Sequence, residues 1–221
     1  MMFAAVMYLA LVRSRPPQPA KRVNAPFAQE IASFKARDKA NPPEPGQILF
    51  IGSSSFTRWT DVGSYFPDRK ILNRAFGGST LPDVIRYVSD VVFPYRPKQI
   101  VIYCGENDLA GDPKLPAYKV YDRFVELFRL IRQRLPAVPI AYVSMKPSPS
   151  RWSLRAKFIA GNKWIADFCA HEKSASFINV WDAMLDDRGQ PKANIFVSDK
   201  LHMNASGYRI WQPIIESFLL K

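Results

Sequence analysis

Three consecutive serines follow an apolar stretch near residue 50, and their chemistry is the first question that the sequence raises. The segment reads I-L-F-I-G-S-S-S, so Ser53, Ser54 and Ser55 come directly after Gly52. A turn needs only one or two small residues. Hydroxyl groups at this position can cap a helix, cradle a phosphate at a helix N-terminus, or supply a nucleophile. These residues alone leave the three functions open.

A serine nucleophile needs a base, and the chain has two histidines that could serve as one. His171 closes a predicted helix, where a histidine is normally a solvated group near the negative end of the helix dipole. His202 follows Asp199 by three residues, a spacing that lets a carboxylate orient the imidazole for acyl transfer. Taken alone, the pair is more typical of residues that cap a final helix, because Asp-x-x-His is a common pattern.

Polar residues also follow the second and third apolar stretches. Gly77 and Gly78 follow N-R-A-F, and such a pair either makes a tight turn or leaves a backbone N–H exposed to a ligand. Asn107, in C-G-E-N-D, is by type a turn residue, but its side-chain amide could also donate a hydrogen bond to a developing oxyanion. Each of these signals is weak by itself.

The predicted elements place these polar residues along one edge of a sheet. Hydrophobic patterning predicts strands at 48–51, 70–73, 99–103, 140–144 and 177–180, and helices at 26–39, 81–92, 117–134, 153–171 and 204–219, the last capped by Asn204. Apolar strands that alternate with helices predict a parallel sheet covered on both faces. Ligands of such folds bind beyond the carboxyl ends of the strands.

The order of these motifs resembles a known enzyme family. G-S-S-S, N-R-A-F-G-G, G-E-N-D and D-K-L-H are similar to the ordered blocks of the SGNH hydrolases, the GDSL-like lipase and esterase family. The resemblance covers the chain from about Ile48 to its end. It implies a flavodoxin-like three-layer α/β/α sandwich with a five-stranded parallel sheet, and hydrolysis of carboxylic esters or thioesters without a metal or a cofactor.

The resemblance also assigns roles to individual residues. Ser54 would be the nucleophile, His202 the base, and Asp199 the carboxylate that orients the imidazole. The oxyanion hole would consist of the backbone N–H groups of Ser54 and Gly78 and the side-chain amide of Asn107.

Two positions depart from the family pattern. Ser53 stands where the family usually has the aspartate of Gly-Asp-Ser, and Ala75 stands where a glycine is frequent. The missing aspartate leaves three adjacent serines, so the residues alone do not fix which serine attacks. By the family alignment, Ser53 and Ser55 would be turn and cap residues.

A function from a different class also fits the serines. In a non-enzymatic anion-binding or phosphate-binding α/β module, G-S-S-S and the following helix N-terminus would cradle the anion with help from Arg58. The segment lacks the Gly-Lys-Ser/Thr ending of a nucleotide P-loop. Under this interpretation, it would be a coincidence that Gly78, Asn107 and the Asp199/His202 pair occur in the order of the family motifs.

The substrate is less well defined by the sequence. Trp59, Trp152 and Arg155 are candidates for lining a substrate pocket, together with the loop at 146–153. Trp152 could stack on a sugar ring or could equally pack under a loop. The expected partner is a small-molecule, glycan or lipid ester.

Composition restricts the class of protein. The 221 residues can bury one sizeable core. The net charge of +12 arises from 31 basic and 19 acidic residues, but the chain has no run of five basic residues and no nucleic-acid signature. A solvated basic surface is therefore favoured over nucleic-acid binding. Two cysteines exclude a disulfide framework, and neither cysteine nor histidine spacing supports a metal site.

The chain divides into three predicted parts. Residues 1–24 form an apolar leader or membrane-associated segment followed by a proline-rich linker, with fewer apolar residues than the roughly 20 that a membrane span needs. Residues 25–47 are an N-terminal helix and linker, and residues 48–221 are the hydrolase domain. Membrane association through the first segment, and an exported or envelope-anchored protein, are favoured over a cytoplasmic one. The oligomeric state stays open.

Overall fold

Five parallel strands form the central sheet. A computed structural model describes residues 25–221. The strands are β1 (Ile48–Gly52), β2 (Ile71–Asn73), β3 (Gln99–Tyr103), β4 (Ile140–Val143) and β5 (Ala175–Ile178), in the order β2-β1-β3-β4-β5. All neighbouring pairs are parallel. This is the strand order of flavodoxin-like folds, so the predicted fold class is confirmed.

Eight α-helices surround the sheet in residues 25–221. They are α1 (Ala28–Ala40), α2 (Ser54–Thr57), α3 (Val62–Tyr65), α4 (Leu81–Val91), α5 (Glu106–Gly111), α6 (Tyr118–Arg134), α7 (Arg155–His171) and α8 (Ala205–Glu216). Short 3-10 segments at Phe93–Tyr95, Pro149–Leu154, Asp182–Met184 and Ala193–Ile195 join some of them.

Alternate strand residues point to opposite faces of the sheet and bury two separate apolar clusters. On β1, Leu49 and Ile51 pack with residues of α1, α4, α6 and α7. Ile48 and Phe50 pack with residues of α2, α3 and α8 on the other face. Both faces are therefore covered, which gives the predicted three layers.

The five predicted strands and five predicted helices are all present, with shifted ends. β5 begins two residues before the predicted strand, and α7 begins at Arg155 because the preceding residues form a 3-10 segment. The short helices α2, α3 and α5 were not predicted, since elements of four to six residues are too short to show a helical period.

The strand order reverses between β1 and β3, which lie side by side. Because α2 follows β1 and α5 follows β3, a crevice opens between their first residues at the carboxyl edge of the sheet. Such a switch point is where ligands bind in open α/β folds.

Helix α1 packs on the core of the sheet domain rather than standing apart from it. Ile31 and Phe34 are buried in the cluster on the α4 side of the sheet. No helix within residues 25–221 is long and apolar enough to cross a membrane. The predicted leader at 1–24 lies outside the described residues.

Candidate active site

The chain leaves β1 through a glycine that lets two strands approach closely. Gly52 has φ +123°, and a Cβ there would lie 2.0 Å from the carbonyl oxygen of Tyr103. The next residue, Ser53, donates its backbone N–H to that same carbonyl at 2.8 Å. A side chain at position 52 would therefore push the serine segment away from β3.

The three serines that follow have different surroundings. Ser55 is 1% exposed, and its carbonyl accepts a hydrogen bond from the Tyr208 hydroxyl. Ser53 is also buried, and its Oγ accepts a hydrogen bond from Asn107 at 2.8 Å. Ser54 is partly exposed, and its Oγ lies 2.9 Å from Nε2 of His202. Of these three serines, Ser54 is the one whose hydroxyl lies within hydrogen-bond distance of an imidazole.

A carboxylate holds the other side of the His202 ring. Asp199 Oδ2 lies 2.6 Å from Nδ1 of His202, while Asp199 Oδ1 accepts the backbone N–H groups of Leu201 and His202 at 2.9 and 2.8 Å. Helix α8 starts only at Ala205 and is capped by Asn204, as predicted for that asparagine. The alternative in which Asp199 and His202 cap the final helix is therefore wrong.

The same contacts keep Asp199 ionised. Burial raises the pKa of this carboxyl, but hydrogen bonds from the His202 side chain and from the backbone of His202 and Leu201 outweigh it and hold the pKa well below its ordinary value. Arg58 adds a positive charge 3.9 Å from Asp199 Oδ2. A stable carboxylate can hold the imidazole in one tautomer and stabilise its protonated form.

Two residues of the cavity lining, Ser54 and Gly78, have backbone N–H groups that are not used within residues 25–221. Gly78 has φ +85°, a conformation that favours glycine, and it lines the same cavity as Ser54. In the described part of the chain, the N–H groups of Ser54 and Gly78 donate to no protein acceptor. They are therefore available to a ligand oxygen.

The amide of Asn107 also lines the cavity, and it is held on three sides. Its Nδ2 donates to Ser53 Oγ at 2.8 Å and to the Ser79 carbonyl at 3.0 Å. Its Oδ1 accepts a hydrogen bond from Arg151 at 2.6 Å. An oxyanion would have to share the N–H that now points at the Ser53 hydroxyl.

A buried ionic cluster lies behind Asn107. Glu106 meets Lys146 Nζ at 3.2 Å and Arg151 at 3.2 Å, and its side chain is 6% exposed. Burial raises the pKa of Glu106, but the charges of Lys146 and Arg151 outweigh it and lower the pKa below its ordinary value. Burial lowers the pKa of Lys146, and its pairing with Glu106 opposes that shift.

The cavity at the switch point has a volume of about 310 Å³. Its lining residues come from five separate parts of the chain, which supports a site assembled by the fold rather than by one loop. Its lining residues are Ser54, Thr57, Arg58, Gly77, Gly78, Asn107, Arg151, Leu201 and His202.

None of the three predicted substrate-binding side chains is among the residues that line this cavity. The prediction for Trp59 is wrong because the ring is buried, whereas substrate contact by Trp152 and Arg155 stays a prediction. Trp59 is 1% exposed and stacks on Tyr208 in the core, with ring centroids 4.7 Å apart. Trp152 stacks on Trp181 at 6.2 Å, and the Arg155 guanidinium lies 5.4 Å from the centre of the Trp152 ring. Trp59 is therefore a core residue, and Trp152 is a partly exposed residue that packs against the apolar cluster on the α4 side of the sheet.

Other side chains line the cavity in their place. Arg151 belongs to the loop at 146–153. That loop was predicted to line the substrate pocket, but Trp152 was the side chain expected to contact the substrate. Arg58 was predicted only as a possible anion ligand. No sequence pattern indicated that Thr57 or Leu201 would line the cavity. The signal that could have identified Arg151 is a basic residue in a loop that follows a buried strand on the same edge as the serines.

The sequence profile of the GDSL-like lipase/acylhydrolase family matches residues 50–210. The chain belongs to this family. It is therefore a carboxylic ester hydrolase of the GDSL type, as the order of motifs indicated. A search of curated proteins finds no match.

Solved structures similar to this GDSL-family chain have the same fold at low sequence identity. One, from Streptococcus pneumonia and provisionally assigned as a platelet activating factor, has a TM-score of 0.75 at 19% identity over 87% of this chain and 92% of its own. A GDSL-like lipase from Bacteroides thetaiotaomicron has a TM-score of 0.68 at 18% identity over 85% of this chain and 97% of its own. A family 3 carbohydrate esterase from Clostridium thermocellum has a TM-score of 0.61 at 14% identity over 78% of this chain and 95% of its own.

The site of this GDSL-family member offers the groups that acyl transfer requires. A hydroxyl, an imidazole and a carboxylate form one hydrogen-bonded series, and N–H donors lie next to the hydroxyl. Among residues 25–221, no three His, Cys, Asp or Glu side chains form a cluster suited to a metal ion.

Proposed function

We propose that the chain hydrolyses carboxylic esters through a covalent serine intermediate, with Ser54 as nucleophile, His202 as base and Asp199 as its orienting carboxylate. The observation that carries this proposal is the series Ser54 Oγ, His202 Nε2, His202 Nδ1 and Asp199 Oδ2, with gaps of 2.9 and 2.6 Å. Hydrogen-bond contact between nucleophile and base, with a third group holding the base, is the arrangement that activates a serine.

The first half of the reaction forms an acyl-enzyme. Ser54 Oγ attacks the ester carbonyl carbon while His202 Nε2 takes the hydroxyl proton. The carbon–oxygen bond to the alcohol then breaks as His202 returns that proton to the departing oxygen. In the second half, water attacks the acyl carbon, His202 takes the water's proton, and the carboxylic acid leaves as Ser54 is regenerated.

The oxyanion of each tetrahedral intermediate would be met by three donors. These are the free backbone N–H groups of Ser54 and Gly78 and the side-chain amide of Asn107. Donors fixed before the reaction stabilise the developing charge without reorganisation, and losing one costs about 3–4 kcal/mol of transition-state stabilisation. The mechanism uses groups of the chain itself and needs no metal.

The substrate class that we favour is an acyl or acetyl ester of a carbohydrate or a lipid. The side chains of Thr57, Arg58 and Asn107 offer polar groups at the cavity, and the structural neighbour from Clostridium thermocellum is a carbohydrate esterase. The guanidinium group of Arg58 at the cavity suits the hydroxyl and carbonyl oxygens of such substrates.

Trapping the acyl-enzyme tests the proposal. We expect acetylated sugars, short acyl esters, lysophospholipids or acyl thioesters to give a burst of alcohol or thiol product, and rapid quenching to leave the acyl group on the Ser54 peptide in mass spectrometry. Chelation by EDTA should leave the rate unchanged. Two results would contradict the mechanism. One is turnover without a burst across the panel combined with an acyl group on another residue. The other is turnover without a burst combined with complete loss of activity in EDTA.

The anion-binding alternative gains no support from the site. Helix α2 has four residues, Ser54–Thr57, so it presents almost no helix dipole to an anion. The hydroxyls of Ser53 and Ser54 already contact Asn107 and His202. An anion site would leave the contact between His202 and Asp199 without a purpose.

A further inference from the structure

We propose that Arg151 is a positioning residue that fixes and polarises the Asn107 amide for the oxyanion, supported by the buried pair Glu106 and Lys146. This inference rests on the proposed serine mechanism and adds to it a residue that acts through another. Arg151 lies in the 3-10 segment Pro149–Leu154, lines the cavity, and contacts Asn107 and Glu106 at the same time.

The chemistry of the two side chains fixes the orientation of the amide. A guanidinium has N–H donors and no acceptor, so Asn107 must turn its Oδ1 toward Arg151, where the distance is 2.6 Å. The amide nitrogen must then face Ser53, Ser79 and the cavity. Without Arg151, a flip of the amide would turn its acceptor oxygen toward the developing oxyanion, which would be repelled.

The second contact of Arg151 fixes the guanidinium itself. Its other terminal nitrogen donates to Glu106 Oε2 at 3.2 Å, and its side chain is 17% exposed. Glu106 is held in turn by the Lys146 backbone N–H at 3.0 Å, by Lys146 Nζ and by the Tyr103 hydroxyl. A rigid support of this kind keeps a positioning group within the tolerance that catalysis needs.

The cation that contacts Asn107 lies in a poorly solvated place. The Arg151 side chain is 17% exposed, and the side chain of Lys146, which also contacts Glu106, is 1% exposed. The field of the Arg151 guanidinium at Asn107 is therefore stronger than it would be in water. A hydrogen bond from a cation to the amide oxygen also strengthens the amide as a donor.

The segment that carries Arg151 also contacts the loop that carries the base. The Ser150 backbone N–H donates to the Lys200 carbonyl at 3.1 Å, one residue from Asp199 and two from His202. The oxyanion side and the base side of the site are thereby joined through the residue preceding Arg151.

Kinetics of Arg151 variants with external guanidinium test this inference. We expect Arg151→Ala to lower kcat by about 30-fold or more with KM within about threefold, since the lost interaction strengthens in the transition state. Millimolar guanidinium or methylguanidinium, far below the molar range that denatures, should restore at least about a tenth of the lost kcat. Arg188→Ala, on an exposed loop, is the control and should be unaffected with or without guanidinium.

Arg151→Lys keeps the test informative if the alanine variant does not fold. Lysine retains the charge but cannot bridge Glu106 and Asn107 with one planar fork, so we expect a lower kcat with unchanged KM. Wild-type kcat in either folded variant, or a loss in Arg151→Ala that guanidinium does not restore, would overturn the inference. Wild-type protein that forms no acyl-enzyme on Ser54 would instead reject the underlying mechanism, so the two failures are distinguishable.

Discussion

At the scale of single residues, the three consecutive serines have different surroundings, and these decide which hydroxyl can attack. Ser54 Oγ contacts His202, whereas Ser53 Oγ accepts from Asn107 and Ser55 is buried. We expect Ser54→Ala to lower kcat by about 10⁴-fold or more. Ser53→Ala removes one ordinary hydrogen bond, worth about 1 kcal/mol, and should change kcat less than about tenfold. Steady-state ester hydrolysis by both variants measures the difference, and comparable losses would argue against Ser54 as the nucleophile.

The ionised state of Asp199 leads to a prediction for pH dependence. Its pKa lies well below the ordinary value, so the carboxylate keeps its charge over the whole range in which a histidine base titrates. Activity should then fall on acidification through one protonation, and log(kcat/KM) should rise with a slope of about 1 on the acid side. Asp199→Asn should lower kcat by up to about 10⁴-fold. A slope near 2, or a rate that is independent of pH while chemistry limits, would contradict this assignment.

The Asn107 amide leads to a prediction about which kinetic constant, kcat or KM, changes when the amide is removed. We expect Asn107→Ala to lower kcat by about 10²–10³-fold with little change in KM, because its hydrogen bond strengthens only when the oxyanion forms. Asn107→Asp is the matched variant, since it keeps the size but places a negative charge at the oxyanion. It should be less active than the alanine variant, and the reverse order would argue that Asn107 does not contact the oxyanion.

At the scale of elements, the turn after β2 determines the direction of a backbone donor. Gly78 has φ +85°, while a Cβ there would have almost open space around it, with Phe27 Cε1 the nearest atom at 4.0 Å. Gly78→Ala should therefore cost activity through backbone strain rather than through a steric clash. We expect kcat to fall by about 10-fold or more while the thermal midpoint changes little. Gly63→Ala is the control, because Gly63 has no positive φ, has open space at its Cβ position and does not line the cavity.

The ionic cluster joins α5 to the segment that precedes α7, and it predicts acid sensitivity. The pKa of Glu106 is lowered in the folded protein, so its pairing stabilises the fold above about pH 4.3, the ordinary glutamate value. That contribution is lost as the pH falls through the folded-state value. Glu106→Gln should be less stable at neutral pH by about 3–5 kcal/mol, since it leaves the buried Lys146 without a counter-charge.

Calorimetry of both proteins from neutral pH down to about pH 3.5 measures this effect. The Tm of the wild type should fall more steeply than that of Glu106→Gln, and the two should converge. Asp199 loses its contribution in both proteins, so the difference isolates Glu106. Parallel curves would show that Glu106 does not gain stability from ionisation.

At the scale of the whole molecule, the fold followed from patterns that extend over many residues. Five apolar strands that alternate with long amphipathic helices allow few arrangements other than a doubly wound parallel sheet. The same rule placed residues 54, 107 and 202 on one edge although they are far apart in the chain. Ser54 and Asn107 follow β1 and β3 closely, so the strand ends set their positions. His202 lies in the loop before α8, and motif order indicated its position.

The substrate side of the cavity could not be predicted in the same way. Trp59 looked like a pocket residue by type, but an aromatic ring is equally suited to a core, and Trp59 is buried in one. The contact from Arg151 to Asn107 depends on a 3-10 segment with no periodic signal. The division of the chain at residues 24 and 47, and the role of the leader at 1–24, stay predictions.

The most direct test of the account is labelling of the intact folded protein with a fluorophosphonate, followed by peptide mapping in a mass spectrometer. Fluorophosphonates react with serines that a neighbouring base activates. We predict one label, on Ser54, that is absent from Ser54→Ala and strongly reduced in His202→Ala, while Ser53→Ala labels like the wild type. A label on Ser53 or Ser55, or labelling of Ser54 that persists undiminished in His202→Ala, would contradict the assignment of Ser54 and His202 as nucleophile and base.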